Sequence, residues 1–106
     1  MKELNLNQKL AIYRLAKKDI INKEEYFICN ALLRNMINLG LKPRCRGLKY
    51  IVCRYFTELW EYKKEHDLWD YISYGWFGDP NKEENQLKRI EVLNEMILKL
   101  EQHERI

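Results

Sequence analysis

The chain of 106 residues has only four glycines and two prolines, so few positions break regular backbone. Gly40, Gly47, Gly75 and Gly78 with Pro43 and Pro80 gather at two places, and the stretches between them are long and unbroken, as helices require. Three cysteines, Cys29, Cys45 and Cys53, form no Cys-x-x-Cys, and their odd number suits reduced thiols rather than a secreted disulfide framework. No run of eighteen apolar residues occurs, which argues against a membrane-spanning helix, and the first residues carry no signal-peptide apolar stretch. The expected setting is cytoplasmic, without a membrane partner.

Catalytic material is equally sparse. The two histidines are His66 and His103; Asp67 adjoins His66 in sequence, but adjacency does not imply side-chain contact, and His103 sits in the tail, so neither is expected to serve a nucleophilic triad. Cys45, Cys53 and His66 lack a recognised zinc spacing, so no metal and no cofactor are expected. Asp67 and Asp70 form an i, i+3 pair flanking Trp69, best read as a solvated face. Glu24-Glu25 and Glu83-Glu84 fit helix starts, where carboxylates complement the dipole. Gly75-Trp-Phe-Gly78 is too bulky at its centre for a phosphate loop. The chain is not expected to be an enzyme.

What the chain has in plenty is aromatic and charged. Nine of its thirteen aromatic residues fall between Tyr55 and Phe77, among them all three tryptophans, Trp60, Trp69 and Trp76. Hydrophobic residues make up 46% and charged residues 33%, a globular mixture that one domain of this length can bury in a single core. The net charge of +3 hides an asymmetry: twelve Lys/Arg against four Asp/Glu up to residue 54, then seven against twelve. Such a division marks a basic face for an anionic partner, complementary faces in an oligomer, or halves that neutralise each other within the fold.

The spacing predicts an all-α bundle of four main helices in one domain over residues 1–106. The first starts near Asn5 or Asn7, with Leu6, Leu10, Tyr13 and Ile20 inward and Lys9, Arg14, Lys17 and Lys18 mostly outward. Asn22 with Glu25 reads as a capping box for the second, whose apolar face is Tyr26, Cys29, Leu32, Leu33, Met36 and Ile37, with Gly40 just past its end. The third runs over roughly residues 47–65. Leu48, Val52, Tyr55, Leu59 and Tyr62 recur at intervals of three and four, widened by Ile51, Phe56 and Trp60, which makes it the expected central helix. An aromatic-rich connection follows. Asp79-Pro80 then opens the last helix, with Leu87, Ile90, Leu93 or Asn94, Ile97 and Leu100 inward.

Two features point to binding. Lys42, Arg44, Arg46 and Lys49 form a basic cluster beside a helix start, where unpaired N–H groups favour anions. Trp69, Tyr71, Tyr74, Trp76 and Phe77 follow no sustained helical period, unlike Tyr55 to Tyr62, and offer rings on which a base can stack. The candidate ligand-binding set is Arg44, Arg46 and Lys49 for phosphate, with Trp69, Tyr74 and Trp76 for stacking. The structural alternative is that these rings plug one end of the bundle while the basic residues are solvated. Duplex DNA is disfavoured. The connection around Pro43 is long for a helix-turn-helix, and the helix after it is too apolar to expose a recognition face.

Tyr74-Gly-Trp-Phe-Gly-Asp-Pro leading to Arg89-Ile-Glu-Val-Leu-Asn-Glu-Met-Ile resembles the C-terminal part of small uncharacterised proteins of phages and mobile elements of gut bacteria. Tyr26-Phe-Ile-Cys-Asn-Ala-Leu is similar to their N-terminal Ile-Cys-x-Ala-Leu segment. The two pieces cover about a third of the chain. The resemblance implies a protein that acts by binding in the host cytoplasm, neutralising a host defence protein or sequestering a nucleotide immune signal. It assigns no functional residue. The leading expectation is therefore a non-enzymatic, counter-defence binding protein that sequesters a small anionic nucleotide-like ligand. The alternative is a module that inhibits or scaffolds a host protein through its acidic C-terminal half. With apolar residues on more than one side of several helices, a homo-oligomer is also expected.

Overall fold

The computed structural model describes residues 3–43, 47–66 and 83–104, and among these every regular element is an α-helix. In chain order they are α1 (Leu6–Ile21), α2 (Ile28–Asn38), α3 (Leu48–Tyr55), α4 (Thr57–His66) and α5 (Glu83–Glu104). No helix among the described residues is long and apolar enough to cross a membrane.

α1 begins where the sequence predicts. The Asn5 side chain accepts from Gln8 N–H at 2.8 Å, and Gln8 Oε1 accepts from Asn5 N–H at 3.0 Å, a complete capping box. Its end differs from expectation. Asn22 caps the C-terminus of α1 rather than opening α2. Lys23 takes the left-handed conformation, φ 59°, and Lys23 N–H and Glu24 N–H bond back to the carbonyls of Ile20 and Asp19. The turn uses up the residues expected to cap α2, which starts later, after Phe27, without a side-chain cap. α2 stops by the same device with the residue suited to it: Gly40 at φ 80° bonds to Ile37 O, and Leu41 bonds to Met36 O.

The helix expected over residues 47–65 is two helices. Phe56 leaves the helical region, φ −127° and ψ 63°, yet its N–H still bonds to Val52 O and its carbonyl accepts from Leu59 and Trp60. The bend lets residues on both sides of it reach one core: Ile51, Val52, Tyr55, Phe56 and Leu59 are all buried. A straight helix would turn part of that wide apolar surface to water.

α1, not the third helix, lies at the centre. Ile12, Tyr13 and Ala16 are fully buried, and α1 packs against both α2 and α5. Gln86, early in α5, donates to Ile20 O at 2.7 Å, whereas Glu101, near its end, meets Arg14 at 3.0 Å, so α1 and α5 run in opposite directions. Tyr13 also meets Phe56 edge to face, with ring centroids 5.2 Å apart.

Three exposures correct the expected faces. Ile37 and Tyr26 of the predicted α2 face are exposed, and so is Leu87 on α5, while Lys9 is mostly buried. On α5 the buried face is Arg89, Val92, Leu93, Met96, Ile97 and Leu100. Leu93, Ile97 and Leu100 are buried as expected, but the face extends toward Arg89, Val92 and Met96 and away from Leu87, a rotation of roughly 80°.

Candidate functional site

The predicted ligand set divides sharply. Lys49 is the second residue of α3. Arg44, Arg46, Trp69, Tyr74 and Trp76 lie outside the described residues, as do Tyr71, Phe77, Asp67, Asp70 and the Asp79-Pro80 cap. The part of the aromatic cluster assigned to packing is described and packs: Tyr55 and Phe56 are buried, and Trp60 and Tyr62 are half-buried against the core. Lys63 and Lys64 place their ammonium groups 4.3 and 5.5 Å from the Trp60 ring centroid, so the ring already carries cation–π contacts.

The start of α3 has an unusual electrostatic make-up. Gly47 is its N-cap, at φ 121° and ψ 163°, a conformation open essentially to glycine alone. Glycine brings no side-chain oxygen to the first-turn N–H groups, and no acidic residue lies in that turn. Lys49 does, and Lys42 on the approach is exposed. Positive charge at the positive end of a helix is unfavourable by about 0.3–1 kcal/mol per charge, and an anion there reverses the sign.

Several described groups capable of acid–base chemistry hold the fold together. Glu58, in the first turn of α4, accepts from the Tyr13 hydroxyl at 2.6 Å and from Lys9 Nζ at 3.1 Å. Burial pushes the Tyr13 hydroxyl well above the usual tyrosine range, reinforced by the Glu58 carboxylate beside it. Asp19 accepts from Asn35 Nδ2 at 2.8 Å, and the same amide donates to Ala31 O. Burial also pushes the Cys29 thiol up to about 12, the opposite of what a nucleophilic thiolate needs. Among the described residues no group of three His, Cys, Asp or Glu side chains is placed to hold a metal ion.

Two arrangements escaped the sequence reading. Arg89 is fully buried, with its guanidinium carbon 4.8 Å from the Phe27 ring centroid. Its spacing to Leu93, Met96 and Leu100, at i, i+4, i+7 and i+11, was the available signal. Second, Arg14, Lys17, Lys18 and Ile21 of α1 line a groove of about 400 Å³ with Asn94, Ile97 and Glu101 of α5. No local pattern announces a groove whose walls are some eighty residues apart.

The charge asymmetry is partly absorbed inside the molecule. Lys9–Glu58 and Arg14–Glu101 both join the basic half to the acidic half. Comparison with known proteins gives no match: no protein-family model, no curated protein and no solved structure is similar to this chain.

Proposed function

We propose that this protein is a non-enzymatic binding protein that sequesters a small anionic, nucleotide-like ligand. Lys49 with Arg44 and Arg46 would hold the phosphate at the start of α3, and Trp69, Tyr74 and Trp76 would stack the ring. The observation that carries this reading is the helix start itself: a glycine N-cap, no acid in the first turn and a lysine within it, directly after a basic run. Isolated, that combination is electrostatically unfavourable; with a phosphate it becomes a binding site. The engagement of Glu58, Tyr13 and Asp19 in structural hydrogen bonds supports a binding rather than a catalytic role. The resemblance to phage proteins adds a context, removal of a nucleotide signal from the host cell.

A calorimetric titration against mono-, di- and cyclic nucleotides tests this directly. Arg46→Ala should weaken the best ligand about tenfold, the loss of one charge-assisted hydrogen bond. No heat with any nucleotide ends the reading.

The second reading, a protein-contact surface on the acidic C-terminal half, has its own observation. On the outer face of α5, Leu87 and Leu98 are exposed beside Glu91 and Glu95. Capture of a specific host protein, lost on reversing these charges and indifferent to Arg46, is its test.

A further inference from the structure

α5 and α1 together present one surface with three parallel strips. At 100° per residue, Leu87, Asn94 and Leu98 fall within about 40° of one another on α5. Ile97 and Glu101 lie to one side of this ridge and form the groove with Arg14, Lys17, Lys18 and Ile21 of α1. Glu91 and then Glu95 lie to the other side, both exposed. Lys88 and Lys99 sit further round: Lys99 lines the groove shared with Tyr62 of α4, and Lys88 is 3.7 Å from Glu91. Across the surface the order is therefore cationic strip, a ridge of Leu87 and Leu98 with Asn94 between them, and acidic strip.

The ridge is costly to leave in water. Leu87 is 58% exposed, Leu98 52% and Ile21, at the groove, 49%. Lys17, Lys18 and Glu95 have no ion-pair partner among the described residues. The groove places Lys17, Lys18 and Ile21 level with Asn94 and Ile97, hence level with Glu91 and Glu95 along α5.

We infer that this surface is the interface of a homodimer in which the α5 helices of two copies lie side by side in parallel. The inference rests on the second reading above, whose partner it identifies as another copy, and is independent of nucleotide binding. Charge selects the geometry. A twofold axis along α5 exchanges left and right, setting the Lys17/Lys18 strip of each copy on the Glu91/Glu95 strip of the other. It also brings Leu87 to Leu87 and Leu98 to Leu98. A twofold axis across α5 would place lysines on lysines. The contact is isologous and closes at two copies. α5 is about 33 Å long and its axis lies about 10 Å from that of α1, so the face measures roughly 33 by 20 Å. That is slightly under the 800 Å² or so per partner of a standard interface, which fits a reversible dimer.

Sedimentation velocity over a graded concentration series should show a mass rising toward twice the 13.0 kDa of the chain. Lys17→Glu with Lys18→Glu should weaken association about tenfold or more, as should Glu91→Lys with Glu95→Lys, because each sets like charges opposite one another. All four substitutions in one chain should restore the dimer. In a Cys45→Ser, Cys53→Ser background, Leu87→Cys and Leu98→Cys, made separately, should each oxidise to a covalent dimer, whereas antiparallel helices could bring at most one of the two pairs together. Circular dichroism of every variant separates lost association from lost folding. A monomer throughout the series overturns the inference, as does a dimer that ignores both charge reversals or is not rescued by their combination. A folded monomer that nevertheless captures a host protein through Leu87 and Leu98 overturns the inference while keeping the second reading.

Discussion

α1 and α3 begin in opposite ways. At α1, Asn5 and Gln8 satisfy each other's backbone N–H groups, and the helix then buries Leu10, Ile12, Tyr13, Ala16 and Ile20. At α3, a glycine stands where a cap belongs, a lysine follows in the first turn, and that turn contains no acidic residue. The first end serves stability; the second leaves a local rule unmet, which is the feature on which the proposed ligand site rests.

Four experiments sharpen or break that contrast. The largest effect is expected from Glu58→Ala, which strips both Lys9 and the buried Tyr13 hydroxyl of their acceptor. Thermal or urea unfolding should show a loss of about 2–4 kcal/mol, with nucleotide affinity unchanged. A parallel loss of affinity would mean that the α1 region does more than hold the fold.

The next is alkaline unfolding. Cys29 is raised from an ordinary value of 9.0 to about 12, so above pH 9 the unfolded chain loses a proton that the folded chain keeps. Stability is therefore complete below pH 9 and falls by up to about 1.4 kcal/mol per pH unit as the pH rises toward 12. Tyr13, raised in the same direction, adds to the fall above pH 10. Cys29→Ala should flatten the curve between pH 9 and 10; an unchanged slope there would refute the assignment to Cys29.

Asn5→Ala comes third, at about 1 kcal/mol for a lost N-cap, read from the urea midpoint and without effect on ligand binding. The smallest change in stability, and the most telling, belongs to Lys49→Glu. A carboxylate in the first turn of α3 should stabilise the free protein by about 0.3–1 kcal/mol while abolishing most nucleotide affinity. Stabilisation without loss of binding would separate the helix start from the ligand site.

Much of the fold was readable because helices are local objects. Asn5 with Gln8, Gly40, and the spacing of Val52, Tyr55 and Leu59 each act within a few residues. The errors arose where tertiary packing decided between local options. Asn22 suits either end of a helix, and the Lys23 turn used it for the end of α1. Phe56 fits a continuous helix by spacing, but burial beside Tyr13 bends the chain there. Arg89 violates the expectation that a charge faces water, and its position in register with Leu93 and Met96 outweighed its residue type. Of the candidate site, Lys49 falls within a described helix, at its start. The other five residues of that set lie outside the described positions, and the α1–α5 groove depends on a pairing that no window of sequence contains.

The antiparallel pairing of α1 with α5 has a consequence for synthesis on the ribosome. The central helix, α1, is made well before its principal partner, α5. α3 and α4, at eight and ten residues, are too short to persist as isolated helices in water. Until α5 emerges, the nascent chain therefore carries an α1 whose apolar face is only partly covered, by α2 and the stretch around Phe56. The core closes only once α5 has been made, and a stop codon anywhere before Val92 should yield a chain that chaperones hold or proteases remove rather than a smaller folded protein.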